Sequence, residues 1–120
     1  MSTLRVNAIT NQAGTTQPAI DGTAKAWVNF DGTQAAASMI RASFNVSSIT
    51  DNGTGNYTVN FATAMTDLNY CTVVNAEMVS VSGETSVAII PTSSSSQQIL
   101  TFNATPSLTD ARQVNVAVFR

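Results

Sequence analysis

Apolar and polar residues alternate along most of this chain, and that alternation limits its fold more than any other feature. In NYTVNF (56–61), Tyr57, Val59 and Phe61 share one face, while Thr58 and Asn60 share the other. RQVNVAVF (112–119) turns Val114, Val116 and Val118 inward, and KAWVNF (25–30) sets Ala26, Val28 and Phe30 against Trp27 and Asn29. A period of two fits a strand with one buried face and cannot bury a helix. YCTVVNAEMVSV (70–81) is a longer run in which Val73, Val79 and Val81 share one parity, and SVAII and QQILTFN add two shorter ones. These patterns predict strands near 3–9, 25–30, 39–45, 46–50, 56–61, 70–81, 86–90, 97–103 and 112–119. Turns are expected at the two DGT triplets, DNGTG, SGET, PTSSSS and ATPSLTD, where Gly, Pro and Asn supply the backbone angles strands avoid. Only TQAAASM (33–39) offers a helical turn or two. The expected fold is all-β: an antiparallel β-sandwich or jelly-roll-like barrel over residues 25–120, preceded by an extended amino-terminal arm over 1–24.

Composition shows what the outer faces are made of. Thr (17), Ser (13), Asn (11) and Gln (6) supply 47 of 120 residues, while 10% are charged and the net charge is −2. A weakly charged chain rich in β-branched residues is one that folds rather than stays disordered. The five basic residues, Arg5, Lys25, Arg41, Arg112 and Arg120, form no cluster, so nucleic acid is not an expected partner. No apolar run is long enough for a membrane-inserting helix, and MSTLRVNAIT lacks the basic-then-apolar pattern of a signal peptide. Cys71 is the single cysteine, alternates with Tyr70 and Thr72, and reads as strand packing.

Catalytic chemistry finds few candidates. There is no His, which removes the commonest general base and the commonest nitrogen ligand for zinc. Six of the seven acids (Asp21, Asp31, Asp51, Asp67, Glu84, Asp110) stand in turn-like stretches, where such side chains bond nearby backbone; Glu77 falls in the 70–81 run. SSITDNGTGNYTVNF (47–61) could be a cation loop or a hairpin. With Asp51 its only anion and no closing Glu, it reads as a hairpin whose Asn-Gly and Gly supply positive φ. No cofactor, metal site or enzymatic activity is expected. The aromatics are expected in the core, with Trp27 and Tyr70 as the exceptions that could stack on a sugar ring. In the arm, Leu4, Val6, Ile9 and Ile20 are too sparse to form a core and must pack on something else.

TLRVNAITNQAGT, AKAWVNFDGT, IRASFNVSSITDNGTGNYTVNF and NYCTVVNA also resemble a known family. They are similar to the β-structured domain of bacteriophage tail fibre proteins, especially of cyanophage-like phages of marine and freshwater bacteria, and the likeness covers most of residues 3–76. The resemblance implies a non-enzymatic component of the virion surface, commonly a homotrimer, with the arm as attachment and assembly element. Its partners would be further copies of itself, other tail or capsid proteins, and a host-surface glycan. A head decoration protein and a carbohydrate-binding β-sandwich module are the alternatives.

Overall fold

The structure, a computed structural model, describes residues 2–3, 22–78 and 86–120. Eight strands follow one another: β1 (Ala24–Phe30), β2 (Ile40–Phe44), β3 (Val46–Asp51), β4 (Asn56–Phe61), β5 (Cys71–Met78), β6 (Ser86–Ser93), β7 (Ser96–Phe102) and β8 (Ala111–Phe119). The expected helical turn is a short 3-10 helix, Ala36–Ser38. The strands form two antiparallel four-stranded sheets, β2-β1-β8-β5 and β3-β4-β7-β6, here called sheets A and B. They pack face to face as a sandwich, and among the described residues each sheet ends in two edge strands. The expected strand at 3–9, Val79, Val81 and the arm residues Leu4, Val6, Ile9 and Ile20 lie outside the described residues. The expected boundary at 24 falls inside β1, because Ala24 already pairs with Phe119.

The core forms where the two inner faces meet, and the alternation identifies most of it. Ala26, Val28 and Phe30 of β1, Tyr57, Val59 and Phe61 of β4, and Val114, Val116 and Val118 of β8 are all buried. Ile49, Ile99 and Met39 fill the space between them, and Phe30 meets the Tyr57 ring edge-on at 5.2 Å between centroids. Burying side chains of this size contributes about 1.5–3 kcal/mol each, so one layer of them dominates stability.

A single residue carries the chain from sheet A to sheet B. Asn45, between β2 and β3, sits at φ 55°, a left-handed conformation that Asn tolerates better than most residues. Its Nδ2 donates to Lys25 O and Thr63 O at 3.0 Å each, and its Oδ1 accepts from Thr63 N at 2.6 Å. This side chain ties the corner to β1 and to the start of the β4–β5 crossover. The PTSSSS connection differs from the sequence reading. β6 runs through Pro91 to Ser93, and the turn is confined to Ser94 and Ser95. β6 is an edge strand among the described residues, the position in a sheet where proline is tolerated.

Candidate functional site

Register places a distinctive surface on the outside of sheet A. Trp27 pairs with Phe44 on one side and Ala117 on the other, and Ala117 pairs in turn with Val73. Four outward side chains from β2, β1, β8 and β5 therefore form one cross-strand row, about 14 Å from first strand to last. The row is open to solvent: Trp27 is 41% exposed, Phe44 52% and Val73 60%. The adjacent row holds Ala42, Asn29, Asn115 and Asn75. Asn29 Nδ2 donates to Asn115 Oδ1, and Asn115 Nδ2 donates to Asn75 Oδ1 at 2.8 Å. The amides thus form a ladder across three strands. Its open ends are the Asn29 carbonyl, an acceptor, and the Asn75 amide nitrogen, a donor. The charges beyond the ladder are paired, Arg112 with Glu77 and Arg41 with Asp31, and the Arg112 contact holds the Glu77 carboxyl below its ordinary range.

At the β5 edge the row runs into a cleft of about 540 Å³ between the two sheets, lined by Val73, Val74, Asn75, Ala76, Val87 and Ile89 among others. Val73 and Asn75 belong to both surfaces. Cys71 lies on the same strand, and the expectation that it packs inside is corrected: it is exposed, because Thr72, Val74 and Ala76 are the residues of β5 that turn toward the core.

The predicted ligand platform is only half present. Trp27 stands on the outer face as expected, but Tyr70 is buried, at 9% exposure. Its ring meets Phe61 edge-on at 5.9 Å, its hydroxyl is shared between the carbonyls of Ser93 and Ser96 at 3.1 Å each, and burial pushes its pKa up. Phe44, expected in the core, takes its place beside Trp27. The reason is register: the irregularity between Asn29 and Phe30 leaves Phe44 opposite outward-facing Trp27.

The acids mostly serve local structure, as their positions in turns suggested. Asp31 accepts from Thr33 N at 3.0 Å, Asp51 from Gly53 N at 2.9 Å and Asp67 from Asn69 N at 2.8 Å, three side-chain turns of the same kind. The hydrogen bonds from Thr33, with Arg41 close by, lower the Asp31 pKa. Loop 52–55 joins β3 to β4 as a hairpin, with Gly53 at φ 119° and Gly55 at φ 64°. Among the described residues no three Asp, Glu or Cys side chains gather as a metal site would require.

Asp110 departs from that local pattern. Its Oδ1 accepts from Gly55 N at 2.7 Å and from the Tyr57 hydroxyl at 2.8 Å, more than fifty residues away in sequence. Burial and the Asp110 carboxylate together push the Tyr57 phenol well above its ordinary pKa. A Cβ on Gly55 would come within 2.6 Å of Thr109 N and 2.7 Å of Thr101 O. The hairpin tip is therefore clamped to the β7–β8 connection, so the glycine is needed for space as well as for φ. Thr101, buried, completes the clamp by donating to Thr109 O at 2.6 Å. Nothing in the local sequence announces this long-range contact.

Comparison with family models, curated proteins and solved structures finds no match to this chain.

Proposed function

We propose that the chain is a non-enzymatic structural component of a bacteriophage virion, a tail-fibre-like surface protein that assembles as a homotrimer. The observation that carries this reading is the use made of the carboxylates. All five described acids, Asp31, Asp51, Asp67, Glu77 and Asp110, are engaged in turns, ion pairs or the hairpin clamp. They are taken up by local turns, surface ion pairs and the hairpin clamp. An uncharged amide and hydroxyl surface suits a protein displayed on a particle, since it stays solvated without strong fields. The virion setting and the trimer come from the resemblance of residues 3–76 to tail fibre domains, and a position on the head as a decoration protein is the variant within this reading.

The proposed assembly element is the segment before β1, with Leu4, Val6, Ile9 and Ile20. Light scattering on the purified chain tests the trimer: about three times 12.6 kDa is expected for the full chain and less for a chain lacking residues 1–21, with circular dichroism unchanged. A monomeric full chain would remove the trimer. Mass spectrometry of purified phage particles whose genome encodes the chain tests the setting, and its absence from the particle would overturn it.

A further inference from the structure

We infer that the outer face of sheet A is a binding site for a neutral oligosaccharide lying along the Phe44–Trp27–Ala117–Val73 row. The chemistry of the face selects that ligand. Saccharide rings present an apolar C–H face and a rim of hydroxyls that both donate and accept. The row supplies two exposed aromatic rings, Trp27 and Phe44, side by side on adjacent strands. The neighbouring ladder supplies amide donors and acceptors fixed in position by the Asn29–Asn115–Asn75 bonds, so little side-chain freedom is lost on binding. No uncompensated charge stands in the row or the ladder, which disfavours acidic glycans, peptides rich in charge and nucleic acid.

Size argues for a small ligand over a second copy of the chain. Four strands of about seven residues cover roughly 450 Å² in projection, and the apolar part of the face is limited to the Phe44–Trp27–Ala117–Val73 row and the shorter Ala24–Phe119–Cys71 row beside it. A stable homodimer interface is larger, about 800 Å² per partner around an apolar centre. A row of about 14 Å accommodates three or so sugar rings, and the cleft at its β5 end, lined by Val73 and Asn75, would receive the terminal one. The inference does not depend on the virion role proposed above, because a sandwich with this face would bind the same ligand in any setting.

Trp27 is the chain's single tryptophan, so its fluorescence reports directly on the site. The experiment screens the full chain on an array of neutral and acidic oligosaccharides, then titrates the best neutral hexasaccharide while following tryptophan emission. Saturable quenching or blue shift is expected. Read by calorimetry, Trp27→Ala should raise Kd about tenfold or more, Trp27→Phe should restore part of the affinity, and Phe44→Ser and Asn115→Ala should each weaken binding several-fold. Asn60→Ala, on the outer face of sheet B, should leave Kd unchanged. If Trp27→Ala does not fold by circular dichroism, Phe44→Ser and Trp27→Phe decide. Three results would overturn the inference: no neutral glycan bound, a preference for acidic glycans, or a Kd indifferent to Phe44 and Trp27. Dissociation of an oligomer by Phe44→Ser in light scattering would also overturn it, by assigning the face to a second copy.

Discussion

On the outside of sheet B, Asn60 donates to Ser48 and Thr50, Asn52 donates to Thr58, and Gln98 donates to Asn56, giving a skin of short polar side chains bonded to one another. On the outside of sheet A, three asparagines are bonded in the same cross-strand manner, but beside them runs the open row of Phe44, Trp27, Ala117 and Val73. Both faces are four strands wide and both are weakly charged. The apolar residues on the outside of sheet B, Ile90, Leu100 and Phe102 with Leu108 bridged to it, stand toward β6 and the end of β7, away from the polar skin of β3 and β4. Sheet A exposes its largest ring to solvent, an arrangement that costs solubility and folding specificity. Exposed aromatics at matched register on adjacent strands therefore point to a surface with a use, and the ion pairs reinforce the contrast. The ion pairs Arg41–Asp31, Arg112–Glu77 and Arg120–Asp67 stand around the margin of sheet A.

The largest expected effect separates inside from outside on one strand of sheet A. Val116 is buried at the centre of β8, so Val116→Asp places an unpaired carboxylate in the core and should cost about 3–5 kcal/mol, enough to abolish folding. Asn115→Asp keeps the acceptor for Asn29 and loses the donor to Asn75, an expected loss of about 1 kcal/mol. Urea denaturation of both variants measures the difference. Equal damage would mean that the outer face of sheet A is covered as thoroughly as the inner one, and the contrast between the two outer faces would fail.

Next comes the residue that joins the two sheets. Asn45→Ala removes three side-chain hydrogen bonds and leaves an alanine in the left-handed region, together about 2–4 kcal/mol. Asn45→Gly loses the same bonds without the backbone cost, so it should be milder by about 1 kcal/mol. Two glycine and alanine variants of equal stability would show that φ at this corner is not under strain. Because the sheets meet here, the loss should appear as one cooperative transition, not as separate melting of sheets A and B.

How far the sequence led depends on whether a strand had one apolar parity or two. β4 carries polar residues on one side, and β8 carries polar or small ones until its terminal Phe119, so their inner faces were legible from Tyr57, Val59, Phe61 and from Val114, Val116, Val118. β5 carries valines at both parities, Val73 and Val74, and alternation could not say which points inward. Cys71 was misplaced for the same reason. Phe44 and Tyr70 were exchanged because exposure at a strand end is decided by register and by crossovers, neither of which leaves a periodic signal. Loop 51–55 was recognisable as a hairpin from Asn-Gly, yet its clamp to Asp110 and Thr109 was not, since such a contact depends on two distant segments meeting. The site was thus half legible: Trp27 stood out by type, while its neighbours were set by strand pairing.

A smaller effect tests whether the exposed row of sheet A has any role in folding. Changing Phe44 and Val73 to Thr gives that face the composition of sheet B. Both side chains are more than half exposed, and Thr favours strands, so the double variant should stay within about 1 kcal/mol of the parent in urea. A loss well above that would mean the row is buried against another part of the protein in solution. An unchanged stability would leave the row free for binding.

The smallest expected effect concerns charge at the margin of sheet A. Asp67 accepts two hydrogen bonds from Arg120, Nε at 2.8 Å and Nη2 at 2.6 Å, and one from Asn69 N, and these lower its pKa from 3.8 to about 2. A carboxylate whose folded pKa is depressed contributes stability that is fully present above its unfolded value near 4 and is lost as pH falls toward 2. The pair is solvent-exposed and screened by salt, so the contribution is small. Melting temperature followed from pH 5 to pH 2 at low salt should fall more steeply for the parent than for Asp67→Asn, with the two curves converging below pH 2. High salt should narrow the gap between them. Parallel curves throughout would show that the contact adds nothing in solution, and the acid sensitivity of the sandwich would then have to arise elsewhere, at Glu77 with Arg112 or Asp31 with Arg41 on the same sheet.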